Sequence, residues 1–102
     1  MSADRETVIK DILSYIDKNL GDPRTSWPEK FYKERIYMRT AAYELVESIM
    51  SSPTRSVEDI LFFKVMEYER MMRLDLPSSV KMIIKDYLLI YQLFFEKWGD
   101  TE

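Results

Sequence analysis

"SVEDILFFKVMEYERMMRLDLPSSVKMIIKDYLLIYQLFFEKW", residues 56–98, holds two long apolar-rich segments separated by one short polar break. In the first, Val57, Ile60, Leu61, Val65, Tyr68, Met71 and Met72 recur every three or four positions, which is the spacing of one helical face and not the alternation of a strand. Ser56 precedes this run where a cap would accept a backbone N–H, with Asp59 three residues on. The break "DLPSS", residues 75–79, combines a proline with two serines, which stop one helix and open the next. In the second segment, thirteen of the nineteen residues 80–98 are apolar or aromatic, and Lys81, Lys85, Gln92 and Glu96 form a single narrow polar stripe. A helix this apolar is expected to be largely surrounded by protein. A membrane span is rejected, because five charges interrupt the segment, its longest apolar run is only Tyr87 to Tyr91, and each mid-span charge costs on the order of 2.5–3.5 kcal/mol.

Working outward, residues 4–20 place Val8, Ile9, Ile12, Leu13, Ile16 and Leu20 at helical spacing with a polar back, and Gly21 and Pro23 end the run. "SWPE", residues 26–29, sets Ser26 and Glu29 at the spacing of a capping box with Pro28 in the first turn. From there a helix is expected to about Met50, with Phe31, Met38, Ala42, Leu45 and Ile49 along one stripe and Tyr32, Ile36, Tyr43 and Met50 flanking it. "SSPTRS", residues 51–56, breaks it. Four helices at about 4–20, 27–50, 57–74 and 78–98, joined by three short connections, predict an all-α chain: a four-helix antiparallel up-and-down bundle or close variant, with residues 1–102 as one helical domain.

The composition narrows the chemistry. The chain has no cysteine and no histidine, so it lacks a thiolate nucleophile, the usual neutral-pH general base and the commonest zinc and copper ligands. The two glycines are far apart and form no phosphate-cradling loop. "EYER" offers Glu67 and Glu69, and Glu58 and Asp59 open the same helix, yet residues two apart on a helix do not face each other and the early pair suits the helix dipole. The expectation is no enzyme, no cofactor, no metal and no small-molecule substrate. The polar opening "MSADRET" suggests a cytoplasmic protein without a membrane association, and a net charge of −3 gives no general attraction to nucleic acid.

"RTSWPEKFYKERIYMR", residues 24–39, mixes basic and aromatic side chains as a nucleic-acid surface would. On a helical wheel the charges do not share one face. Glu29 with Lys33 and Lys30 with Glu34 stand at ion-pair spacing, and residues 23–52 carry five basic against four acidic groups. What remains is an anion-binding alternative at Lys33, Arg35 and Arg39, which defines the second reading, a nucleic-acid-associated regulator. The first helix, "VIKDILSYIDKNLGDP", resembles the leading helix of the DNA-binding domain of arabinose-operon-type transcription regulators. That family continues with a short helix-turn-helix pair, where this chain continues with one long helix, so the part that would read DNA departs from the pattern.

The main positive signal lies back in residues 56–98. Phe62, Phe63 and Met66 fall on the side of the third helix away from its core stripe, Leu88 lies inside the polar stripe of the fourth, and Phe95 is at its edge. A single partner helix cannot cover two faces. Exposed apolar patches usually mark interfaces, so these five residues are the candidate interface. The expected function is a protein–protein interaction module, a homodimer pairing through helices three and four. The seven methionines, including Met71, Met72 and Met82, suit either core filling or an adaptable groove.

Overall fold

The structure is a computed structural model that describes residues 4–20 and 29–99, with the side chains of 29–35 and 99 outside the description. It is a four-helix bundle: α1 (Arg5–Asn19), α2 (Glu29–Ser51), α3 (Val57–Met72) and α4 (Ser78–Phe94), with a π-helical turn, Phe95–Gly99, continuing α4. The expected cap is present: Ser56 has an extended backbone and its Oγ accepts from the Asp59 N–H at 3.1 Å. The proposed capping box at Ser26 and Glu29, the stop at Gly21 and the inward placement of Phe31 lie outside the described residues.

All four helices contribute to one apolar core. Val8, Ile12 and Ile16 of α1 meet Leu45 and Ile49 of α2, Leu61 of α3, and Ile90 and Phe94 of α4, all at most 2% exposed. Consecutive helices run antiparallel. Arg5 reaches Ile49 and Ser52, Glu44 pairs with Lys64, and Phe62 lies against Phe95, so that in each pair rising numbers on one helix meet falling numbers on the next. The molecule measures 41 × 36 × 23 Å, two helix layers in its thin direction.

Two expectations are corrected here. Residues Tyr43 and Met50, placed on a flanking inward stripe, are exposed, and Ala41 and Val46 are buried instead. The reason is geometric: α2 packs against α1 on one side and α4 on the other, so its buried arc widens symmetrically about Leu45 and Ile49 and never reaches the Tyr43 side. The small Ala41 and Ala42, both fully buried, allow the close approach. Second, α4 is not surrounded. It lies between α2 and α3, burying Ile84, Ile90, Tyr91 and Phe94, while Met82 and Leu89 on its outer side are 62% and 46% exposed.

Polar contacts tie the layers at two places that helical periodicity does not mark. Arg5 donates to the carbonyls of Ile49 (2.7 Å), Ser52 and Arg55 (2.5 Å). Carbonyls at a helix C-terminus have no intrahelical donor and carry the negative end of the dipole, so a guanidinium from α1 caps α2 from outside. At the other place, Asp11 accepts from Lys97 Nζ and from Trp98 Nε1, both at 2.9 Å, which fastens the π-helical turn to α1.

Candidate interaction surface

The outward side of α3 carries the exposed aromatic cluster. Phe62, Phe63 and Met66 are 48%, 52% and 43% exposed. The rings of Phe62 and Phe63 meet edge-on at 6.0 Å between centroids, and Phe62 lies 6.3 Å from Phe95 across the α3–α4 seam. Arg55, from the loop before α3, places its guanidinium 4.6 Å from the Phe63 ring centroid, a cation–π contact that covers part of that ring. Phe95 and Leu88 are half-buried, and Phe95 packs against the core as well as against Phe62. Three of the five candidate interface residues are thus plainly exposed, Phe95 forms the sheltered side of the strip they make, and Leu88 is half-buried on α4.

The helical register explains why α3 cannot hide these residues. Val57, Ile60 and Leu61 are buried and Val65, Tyr68, Met71 and Met72 half-buried, which uses the whole inward arc. Positions 63 and 66 follow at angles that point away from both neighbours, and Phe62 sits at the edge of that outward side, where it reaches Phe95.

The anion-binding alternative fares differently. The side chains of Lys33 and Arg35 lie outside the described residues. Arg39 is half-buried, with its guanidinium 5.5 Å from the Tyr43 ring centroid on its own helix and its Nε buried without a hydrogen-bond partner. Residues 29–51 form one continuous helix, so no helix-turn-helix occurs there.

A second assembly was not foreseen from the sequence. Tyr68 and Tyr87 stack nearly parallel at 5.6 Å, and Tyr91 meets Tyr68 edge-on at 5.1 Å and Tyr87 at 6.3 Å. Beside them Lys64 Nζ pairs with Glu44 at 3.1 Å and stands 5.8 Å from the Tyr91 ring. Burial, reinforced by the Glu44 charge, pushes the phenol of Tyr68 up to about 12, raises Tyr87, and raises fully buried Tyr91 further. The Tyr91 hydroxyl makes no hydrogen bond of good geometry, and the Tyr68 hydroxyl approaches it closely enough to act on it only weakly. A shallow cleft of about 250 Å³, lined by Glu44, Tyr68, Met71, Ile83, Ile84 and Tyr87, opens next to the group. Its carboxylate is already neutralised by Lys64, so the assembly reads as a polar brace between α2, α3 and α4.

The Asp11 carboxyl is pulled in two directions. Burial raises it, and the hydrogen bonds from Lys97 and Trp98 with the nearby charges of Lys97 and Lys18 outweigh that, holding it below the ordinary 3.8. Among the described residues no group of three or more acidic side chains is placed to hold a metal ion, and no helix is long and apolar enough to cross a membrane. Comparison of the chain with models of protein families, with curated proteins and with solved structures finds no match.

Proposed function

We propose that this chain is a small cytoplasmic helical interaction module that acts by binding protein rather than by catalysis, and that it self-associates through the outer face of α3 and the adjoining edge of α4. The observation that supports the reading is the contiguous aromatic strip of Phe62, Phe63 and Phe95 with Met66 beside it on the outward face. A buried aromatic side chain covers roughly 150–250 Å². Two half-exposed phenylalanines and a methionine therefore offer roughly 250–300 Å² of apolar surface per copy, against about 800 Å² per partner in a standard interface. The strip is sized to be the apolar centre of an interface whose rim is polar, and the expected association is in the micromolar range.

Light scattering coupled to gel filtration tests the proposal on the full chain. The expected result is a mass that rises from one chain toward two between about 1 and 100 μM, and a Phe62→Asp variant that keeps its helical circular dichroism but stays monomeric over that range. A wild-type mass of one chain at several hundred micromolar would overturn self-association, and an unchanged Phe62→Asp dimer would move it to another surface.

A further inference from the structure

We infer that two copies pair through α3 itself, antiparallel, about a two-fold axis beside Met66. This rests on the self-association reading and gives it a geometry. The outward stripe of α3 and its C-cap runs Asp59, Phe62, Phe63, Met66, Arg70, Arg73, every one of them exposed. Steps of three and four residues hold these positions on one side of the helix, the seam that two helices use when they pack along their length.

The stripe is acidic at its start, apolar at its centre and basic at its end. When it is turned end for end about Met66, residues equally far from Met66 on opposite sides face each other. Asp59 then meets Arg73 of the second copy, and by symmetry the reverse, while Phe62 meets the guanidinium of the second copy's Arg70. Arg55 already makes a contact of that last kind with Phe63 on this surface. A parallel pairing would instead set Asp59 against Asp59 and each arginine against itself, which like-charge repulsion disfavours.

The same signs also suit the dipole of α3, negative near its N-terminus and positive near its C-terminus. That compensation would work from any side of the helix. It gives no reason for Asp59, Arg70 and Arg73 to share the side that carries Phe62 and Met66, whereas antiparallel pairing requires it. The ion pairs Lys64–Glu44 and Lys97–Asp11 use none of these three charges. A stripe whose charges invert about its own midpoint is complementary to itself, which selects a second copy as the occupant, in the isologous arrangement that two-fold dimers adopt.

Charge exchange between two differently substituted chains tests the geometry. At low salt, Asp59→Arg alone and Arg73→Asp alone are each expected to weaken self-association tenfold or more, because each sets like charges opposite twice per dimer. Mixed in equal amounts, the two variants are expected to form a mixed dimer with affinity near that of the wild type, since both contacts become opposite-charged again. The chain has no cysteine of its own, so Met66→Cys is expected to give a disulfide-linked dimer on mild oxidation, and Leu13→Cys on α1 is not. If the wild type dimerises while both charge variants keep its dissociation constant, or the mixture fails to recover, the antiparallel α3 pairing is overturned and self-association survives by another route. A wild type that stays monomeric removes both.

Discussion

Removing the Tyr91 hydroxyl should make the protein more stable. Tyr91 is completely buried, and its oxygen makes no hydrogen bond of good geometry although it left water on folding; the Tyr68 hydroxyl is near enough to engage it only weakly. A buried polar group without a partner costs about 1–3 kcal/mol relative to its hydrated state. The Tyr91→Phe variant deletes that cost and retains the ring, so the edge contacts with Tyr68 and Tyr87 and the approach of Lys64 survive. Against the gain stand the small void left by one oxygen atom and the loss of its weak approach to the Tyr68 hydroxyl. The net expectation is a stabilisation of about 1 kcal/mol, which for a chain of this size raises Tm by roughly 4–8 °C. In urea, with a slope of about 1 kcal/mol/M, the midpoint should move up by about 1 M with the slope unchanged. Tyr87→Phe, whose hydroxyl belongs to a half-buried side chain at the cleft, serves as the control and should change stability by less than about 0.5 kcal/mol. A loss of 1 kcal/mol or more in Tyr91→Phe would refute the reasoning, because it would mean that the hydroxyl is fully hydrogen-bonded in the fold, with Tyr68 as the neighbour placed to do it.

Three further outcomes are expected. Arg5→Ala should cost about 1.5–3 kcal/mol in denaturant unfolding, since one guanidinium serves three carbonyls at the end of α2 and in the loop after it; a loss below about 0.5 kcal/mol would show that water replaces it freely. Asp11→Asn should cost about 1 kcal/mol and shift Trp98 emission, read in a Trp27→Phe background. Because the native Asp11 lies below 3.8, the unfolded chain binds the proton first on acidification; the contribution is complete above about pH 5 and is lost as pH falls below 4, so the gap between variant and wild type should close there. At the alkaline end the sign reverses. Tyr68 near 12 and the raised Tyr87 and Tyr91 keep protons that the unfolded chain releases near 10, so stability should be flat up to about pH 10 and decline from 10 to 12, with phenolate absorbance lagging behind that of the urea-unfolded chain.

The helices were legible because their signals are local. Spacing of three and four, a serine cap at Ser56 and proline breaks at 53 and 77 act within one or two turns, and the structure places α3 and α4 within a few residues of the expected limits. The width of a buried arc is not local. Whether Ala41 or Tyr43 turns inward depends on where α1 and α4 lie around α2, which no periodicity within α2 encodes. The same holds for contacts between distant residues: Arg5 with Ile49, Glu44 with Lys64, Asp11 with Trp98 each require the topology first. On the candidate surface, the surplus of Phe62, Phe63 and Met66 was legible as a second face on one helix. Leu88 and Phe95 were legible only as apolar residues near polar ones, and their half-burial follows from α3 lying alongside and from the π-helical turn at Phe95.

The two outer helix backs make the case that the α3 surplus has a cause beyond the monomer. The back of α1 presents Lys10, Ser14, Asp17 and Lys18 to water, with Leu13 as its one large exposed apolar residue. Nothing in the packing of α3 demands a different composition, since its inward arc is complete without positions 62, 63 and 66. Lysine or glutamate at those positions would serve the helix equally well or better by propensity, and would avoid leaving half of each phenylalanine in water at roughly 25 cal/mol for every Å² exposed. A molecule two layers thick has no third layer to cover that side, and among the described residues no further helix does so. The part of the α3 back left in water is thus a cost to the isolated chain, beyond what Phe62 gains against Phe95 and Phe63 against Arg55. A surface that contributes its apolar area only in a complex, flanked by charges that match when the stripe is reversed, gives that composition a physical reason.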